Sequence, residues 1–339
     1  MNKHIQKKEA SHPAGQPLAE LHSHLGAAVD AAILWTLAHE QGIKLPTKDY
    51  WAFEDMVTIK KTGQLKEVLG LDRNFYHWTE LIQSSPVSIE PAVHGTISGA
   101  YRANNIVVHE LRFNPMKRNR GGERDLDYII IAAIRGMEKA TLEYPSVKAG
   151  LILMLDREFP RRLNEIIFEK AKKYQHRGVI GIDVAGPQSG KFKIEEYRDL
   201  FIEAKESGFG VTIHTGEEGN LKEMSYIIRE IQPHRIGHGF MAWKDARVME
   251  DLVEQGITLE LCPRSNLNVG VIKSTAELKK IYSTLMRNHV KITINTDGPE
   301  MHGTNLRKEL EFLKSNEIFT ARELQECIDN AFNASFIKT

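Results

Sequence analysis

Histidine and acidic side chains recur directly after short apolar runs of this sequence. They are His22 and His24 in ELHSHL, His214 and Glu217 in IHTGEEG, His238 in RIGHG, and Asp297 in INTDGP. Alternate residues of a β-strand point to the same face, so His22 and His24 are placed to act on one target. Taken singly, a buried histidine is more often hydrogen-bonded scaffolding, and Asp297 has the alternative role of capping a helix. Their shared position after apolar runs favours a common site.

The residue types indicate a divalent metal. Three imidazoles and one carboxylate, without cysteine, suit zinc, with iron, cobalt or manganese as alternatives. The predicted ligands are His22, His24, His214 and Asp297. A catalytic zinc keeps one position for water and lowers the pKa of that water to about 7. Hydrolysis also needs a proton donor and a group that orients the water, and we predict Glu217 and His238 for these roles, with Asp297 also catalytic.

Other reactive residues have simpler interpretations. The remaining histidines outside the strand ends, His302 among them, are predicted to be ordinary, and His109 and Glu110 to have core or supporting roles. Cys262 is predicted to be a small buried residue. The signature that pairs H-x-E with P-C-x-x-C in one class of zinc deaminases is absent from the sequence.

The elements that must position these residues form an alternating pattern. Eight apolar, β-branched runs are predicted strands, at residues 18–25, 105–113, 147–155, 179–185, 210–215, 235–239, 257–262 and 290–296. Amphipathic segments such as 125–144 and 193–208 lie between most of them. This is the pattern of an α/β protein of the (β/α)₈ TIM-barrel class, whose sites lie at the C-terminal ends of the strands. The long interval between strands 1 and 2 reads as a helical insertion over that end.

Length and composition narrow the class of protein. We predict a flexible tail over residues 1–16 and a single domain over 17–339. Lysine plus arginine and aspartate plus glutamate both number 45, so a formal net charge of zero argues against binding to nucleic acid or anionic membrane. Two cysteines, no signal-peptide pattern and no apolar run of membrane-spanning length predict a cytoplasmic protein with a small-molecule partner. Its oligomeric state is left open.

Six motifs in order resemble the adenosine deaminase family of the amidohydrolase superfamily. They are ELHSHL, GIDVAG, IHTGEEG, RIGHG, ELCPRSN and INTDGP. The resemblance implies one zinc per chain on the four predicted ligands, and Glu217 as the acid that protonates a purine ring nitrogen. It implies that His238 deprotonates and orients the attacking water. It also implies that the backbone N–H of Gly186 meets another ring nitrogen.

Two recognition positions depart from the family pattern. Gly26 stands where the family commonly has an acid that holds the ribose, and Gly298 where it commonly has an aspartate that binds the five-membered ring. Substrate contacts are therefore assigned to His24, Gly186 and the positions of Gly26 and Gly298. Asp30 and Glu300 are the candidates to replace the missing carboxylates.

The implied activity is removal of the exocyclic amine of adenosine or 2′-deoxyadenosine, giving inosine or deoxyinosine and ammonia. The two glycines favour an alternative, which is the same chemistry on adenine, a modified adenine nucleoside or another aminated heterocycle. A metal phosphoesterase and a non-catalytic binding protein are more distant alternatives.

Overall fold

Eight parallel strands form one sheet in the order β1 to β8. The computed structural model describes residues 15–59, 75–119, 125–187, 192–218 and 221–337, so most of the predicted tail and part of the predicted insertion lie outside the described residues. The strands are β1 Leu18–His24, β2 Ile106–Phe113, β3 Lys148–Asp156, β4 Val179–Ala185, β5 Gly210–Thr215, β6 Arg235–His238, β7 Thr258–Leu261 and β8 Ile292–Ile294. All eight predicted strands are confirmed.

The sheet closes on itself where β1 meets the segment that follows β8. Ser23 forms an isolated parallel bridge with Asp297. The amide of Asp297 donates to the carbonyl of His22 (2.9 Å), and the amide of His24 donates to the carbonyl of Asp297 (2.7 Å). The predicted (β/α)₈ barrel is confirmed, although β8 ends three residues before Asp297, because this residue leaves the extended conformation.

Helices surround the barrel and follow most strands. Within the described residues they are Leu25–Ala28, Ala31–Glu40, Tyr50–Met56, Pro86–Asn104, Leu126–Glu143, Arg161–Tyr174, Arg198–Glu206, Leu221–Tyr226, Ala246–Glu254, Pro263–Asn268, Thr275–Arg287, Leu306–Ser315 and Ala321–Ala334. Helix Leu126–Glu143 shows how the sequence forms them. Asp125 caps its first turn, and apolar residues at three- and four-residue steps are buried on one side.

The described part of the segment between β1 and β2 is largely helical. Four of the helices above lie there, and residues 75–82 are helical as well. Helix Pro86–Asn104 packs closely on helix Leu126–Glu143, since a Cβ at Gly136 would lie only 2.3 Å from the carbonyl oxygen of Glu90. None of the helices described is long and apolar enough to cross a membrane.

The N-terminal end of the barrel is covered by the C-terminal segment of the chain. The ring of Phe336 lies 3.5 Å from the guanidinium of Arg235, the first residue of β6. Glu110 accepts hydrogen bonds from the Ser335 hydroxyl (2.7 Å) and the Phe336 amide (2.6 Å). The C-terminal segment therefore contacts two buried charged side chains, those of Glu110 and Arg235.

Candidate active site

Four side chains converge at the C-terminal end of the barrel. The Nε2 atom of His24 lies 3.2 Å from Nε2 of His22 and 3.1 Å from Nε2 of His214. Oδ1 of Asp297 lies 3.6 Å from Nε2 of His22 and 3.3 Å from Nε2 of His24. Together these four side chains form what we call the ligand cluster. The strands bring together residues from both ends of the sequence.

Carboxylates hold two of the imidazoles by their other nitrogen. Nδ1 of His22 contacts Oε2 of Glu260 (2.8 Å), and Nδ1 of His214 contacts Oδ2 of Asp183 (2.9 Å). A carboxylate that accepts the Nδ1 proton leaves the Nε2 lone pair free to face the cluster. Burial also lowers the pKa of His214 to about 4, so its ring is neutral at neutral pH.

The cluster fits a tetrahedral metal ion. Nitrogens at 2.0–2.1 Å from a tetrahedral zinc lie about 3.3 Å from one another. The observed separations between the imidazole nitrogens, 3.1 and 3.2 Å, are close to this value. The second oxygen of Asp297 accepts the Ser265 hydroxyl (2.6 Å), which leaves Oδ1 on the cluster side. The donor atoms and their supporting hydrogen bonds therefore suit a metal.

Backbone conformation adds to the evidence for a functional site. His238 and Asp297 have φ angles of 59° and 62°, in the left-handed region that residues with a side chain seldom adopt. Such strain persists only where the surrounding structure imposes it, and it concentrates at functional sites. His238 is the last residue of β6 and Asp297 lies three residues after β8, so both strained positions lie at the C-terminal end of the barrel.

Glu217, His238 and Asn266 form a second group beside the cluster. Oε2 of Glu217 lies 3.7 Å from Nε2 of His238. The side-chain amide of Asn266 contacts Nδ1 of His238 (3.1 Å) and Oε1 of Glu217 (3.5 Å). Burial raises the pKa of Glu217, which favours the protonated carboxyl. The group therefore holds a proton donor next to an imidazole.

A cavity of about 780 Å³ opens above these residues. Its walls include His24, Glu217, His238 and Asp297, so the predicted catalytic side chains share one space. Gly186 also lines it, with φ of 109°, and a Cβ there would lie 3.2 Å from Oδ1 of Asp156. Only glycine combines that backbone conformation with an open approach to the cavity.

Other groups fill the space that side chains at residues 26 and 298 would occupy. A Cβ at Gly26 would lie 3.0 Å from Nη2 of Arg118 and 3.4 Å from the ring of Tyr76. A Cβ at Gly298 would lie 2.5 Å from the methyl group of Ala27, so residue 298 has no room for a side chain.

Asp30 and Glu300, the two candidates to replace the missing carboxylates, lie away from the cavity above the ligand cluster. Asp30 is exposed and caps helix Ala31–Glu40 by accepting the amide of Ala32 (2.7 Å). Asp30 and Glu300 both line a different cavity, between that helix, helix Pro86–Asn104 and the segment after β8. Neither carboxylate is among the residues that line the cavity above the ligand cluster.

Several residues of the site were not predicted from the sequence, although Asn266 is the last residue of the ELCPRSN motif. Asn266, Tyr76 and Arg118 come from three different segments and reach the site through tertiary packing. His302 was expected to be ordinary, yet it is buried and lines the cavity. Its position five residues after Asp297, in the segment that follows the last strand, was the one available signal. His109 is buried, and Cys262 is buried and free, as expected.

Comparisons with known proteins support the fold and the family. An adenosine deaminase of Clostridium perfringens is 29% identical over 321 residues, which are 94% of each chain. The solved structure of adenine deaminase from Arthrobacter aurescens matches with a TM-score of 0.81 at 20% identity and covers 96% of this chain and 95% of that one. An amidohydrolase from Burkholderia ambifaria, solved with bound zinc, also matches at 0.81 and 20%, covering 95% and 86%.

The match to the family extends over nearly the whole chain. The family model described as adenosine deaminase matches residues 17–339, from the start of the barrel to the last residue. This span contains all the residues of the ligand cluster and of the Glu217 group. The chain therefore belongs to the adenosine deaminase family.

Proposed function

We propose that the protein hydrolyses the exocyclic amino group of an adenosine-type substrate with the help of one zinc ion bound by the ligand cluster. Water replaces the amine at the ring carbon, so the products are a ring carbonyl and ammonia. The observation that carries the proposal is that Nε2 of His24 lies within 3.3 Å of a nitrogen or oxygen of each of His22, His214 and Asp297, beside a buried carboxyl group. Bound zinc would supply the Lewis acidity that makes water nucleophilic at neutral pH.

The protein's own side chains account for the proton transfers. Glu217 is suited to protonate the ring nitrogen next to the reacting carbon, because burial raises the pKa of its carboxyl. His238 is suited to orient the attacking water, because the Asn266 amide at its Nδ1 (3.1 Å) leaves the proton of the neutral ring on Nε2. Oε2 of Glu217 and Nε2 of His238 are 3.7 Å apart, which supports their acting on one substrate molecule.

The first test removes the proton donor without removing the metal. Glu217→Gln keeps the shape of the side chain, and we expect it to retain bound zinc while turnover falls about 10²- to 10⁴-fold. Ammonia release and metal content measured on the same sample would check this. Near-normal turnover with zinc bound would exclude Glu217 as the acid.

The substrate is expected to be adenosine or 2′-deoxyadenosine, and one observation favours a second candidate. Near Gly26 the cavity presents the guanidinium of Arg118, which contacts Glu80 at 3.2 Å, where the family commonly presents an acid. A guanidinium only donates hydrogen bonds, whereas a carboxylate accepts them from ribose hydroxyls. This change favours a substrate with a strong hydrogen-bond acceptor on that side.

A panel of amines separates the two candidates. Initial rates of ammonia release would be compared for adenosine, 2′-deoxyadenosine, adenine and AMP at equal concentrations. The leading candidate requires one of the two nucleosides to have the highest kcat/KM. A value at least tenfold higher for adenine or AMP would select the second candidate, and no ammonia from any purine would overturn the proposed function.

A further inference from the structure

A buried ion pair lies in the wall of the active-site cavity and takes no part in the proposed proton transfers. Arg157 lines this cavity with 3% of its surface exposed. Its Nη1 donates to Oε2 of Glu223 (2.9 Å), and its Nη2 donates to Oε1 (2.8 Å). Two parallel hydrogen bonds of this kind fix the relative orientation of both side chains. Because the cost of desolvation offsets much of the attraction in a buried ion pair, positioning explains this pair better than stability does.

The pair joins the two sides of the segment that carries Glu217. This segment leaves β5 after Thr215 and enters the helix that contains Glu223. The hydroxyl of Thr215 donates to Oε1 of Glu223 (3.2 Å), and Nη2 of Arg157 also donates to the carbonyl of His214 (2.9 Å). One guanidinium therefore holds both the strand before Glu217 and the helix after it.

The ion pair and the Glu217 segment are both attached to the barrel. The amide of Arg157 donates to the carbonyl of Ala185, the last residue of β4 (3.0 Å). The carbonyl of Gly216 accepts the amide of Met241 (2.9 Å). Gly216 has φ of 66°, a conformation in which glycine turns the chain without strain. Glu217 therefore directly follows a turn that is fixed to the neighbouring part of the barrel.

We propose that Arg157 and Glu223 are positioning residues that hold the Glu217 carboxyl in reach of the ring nitrogen that it protonates. This inference rests on the proposed deaminase function, in which Glu217 is the acid. General acid catalysis requires hydrogen-bonding distance, and a displacement of about 1 Å can cost about 10²-fold in rate. Loss of the Glu223 carboxylate should therefore lower kcat and have little effect on substrate binding.

The test removes the carboxylate of Glu223 and leaves Arg157 in place to donate to the His214 carbonyl. On the best substrate of the amine panel, Glu223→Ala should lower kcat about 10- to 100-fold and change KM less than about threefold. Zinc affinity, measured by competition with a chelator, should stay within about twofold of the wild type. Glu223→Gln retains a hydrogen-bond acceptor and should lose less of kcat, and it replaces the Ala variant if that one does not fold.

A double variant distinguishes positioning from general loosening of the barrel. If Glu223 acts through Glu217, adding Glu223→Ala to Glu217→Gln should lower kcat further by less than about twofold, since residues that act as a unit are not additive. General loosening would lower kcat by the same factor in both backgrounds.

Arg229→Gln is the matched control. Arg229 follows Glu223 in the same helical segment, and its Nε donates to Oδ2 of Asp251 (2.7 Å). Neither Arg229 nor Asp251 is among the residues that line the cavity. This variant removes an ion pair from the same segment and should keep kcat within about twofold of the wild type. The unfolding temperature of each variant would be measured alongside.

The outcomes separate this inference from the proposed function. Wild-type kcat in Glu223→Ala would overturn the inference, and so would an equal loss of kcat in both backgrounds or in Arg229→Gln. A loss of zinc affinity that matches the loss of kcat would assign the pair to the metal site and overturn it as well. A wild-type enzyme that releases no ammonia from any purine would refute the proposed function itself.

Discussion

Replacement of Glu260 by glutamine is expected to weaken both the fold and the metal site. Glu260 is fully buried and accepts four hydrogen bonds. Its Oε2 accepts from Nδ1 of His22 (2.8 Å) and Nη2 of Arg112 (2.9 Å), and its Oε1 from Nε of Arg235 (2.5 Å) and the hydroxyl of Thr212 (3.1 Å). The same carboxylate thus neutralises two buried guanidinium groups and orients one imidazole of the ligand cluster.

The magnitude follows from these contacts. Glutamine keeps the size of the side chain but leaves Arg112 and Arg235 with one fewer negative charge, and loss of one partner from a buried ion pair costs about 3–5 kcal/mol. His22 also loses its anionic partner at Nδ1. Removal of such a partner lowers metal affinity about 10- to 100-fold.

A matched control separates the two effects. Glu110 is also fully buried and also contacts Arg235, at 2.5 Å, but no hydrogen bond links it to the ligand cluster among the described residues. Glu110→Gln should therefore lower the free energy of unfolding by a similar amount and change zinc affinity less than about twofold. Urea unfolding of the metal-free proteins would give the stabilities. Competition with a zinc chelator at fixed pH would give the affinities.

Two results would refute this reasoning. If Glu260→Gln binds zinc as tightly as the wild type, the contact with His22 does not contribute to metal binding. If Glu110→Gln loses as much zinc affinity as Glu260→Gln, the effect arises from general loosening of the barrel and not from the orientation of His22.

Two further predictions concern stability. Burial raises the pKa of Glu309 from 4.5 to about 8. Between these pH values the folded protein retains a proton that the unfolded chain releases. The free energy of unfolding should therefore fall as pH rises from 4.5 to 8. Glu309→Gln should remove this part of the pH dependence of the free energy of unfolding, which is at most about 1.4 kcal/mol per pH unit. Urea unfolding at pH 5 and pH 8 would measure it. The same pH dependence in the variant and the wild type would contradict the prediction. Gly298→Ala should cost about 1–3 kcal/mol by overpacking against Ala27, as measured by thermal unfolding. The added change Ala27→Gly should restore most of this loss, and a double variant no more stable than the single one would count against the steric explanation.

The barrel was predictable because its strands carry a strong local signal. Buried parallel strands read as continuous apolar runs, and all eight are present near the predicted bounds. The ligand cluster was predictable for a related reason. Once the strand order is known, residues near the C-terminal ends of the strands must meet at one end of the barrel, and His22, His214 and Asp297 all do so.

The residues that shape the substrate cavity carry no such signal. Arg118 and Tyr76 reach the space beside Gly26 from segments whose positions are set by packing and not by strand order. The burial of His302 and its unpaired nitrogen appear only once Gly298 and Ala27 are placed against each other. The side chains of the ligand cluster, with Glu217 and His238, could therefore be named from the sequence, whereas the neighbours that line the cavity required the three-dimensional structure.

Closure of the barrel joins the first strand to leave the ribosome with the last. The backbone hydrogen bond between His24 and Asp297 cannot form until residues beyond β8 have been synthesised. Phe336, which covers Arg235, is added later still. During translation the nascent chain therefore carries His22, His24 and His214 before Asp297 is added. A product truncated before residue 297 would hold the three histidines without the carboxylate of Asp297.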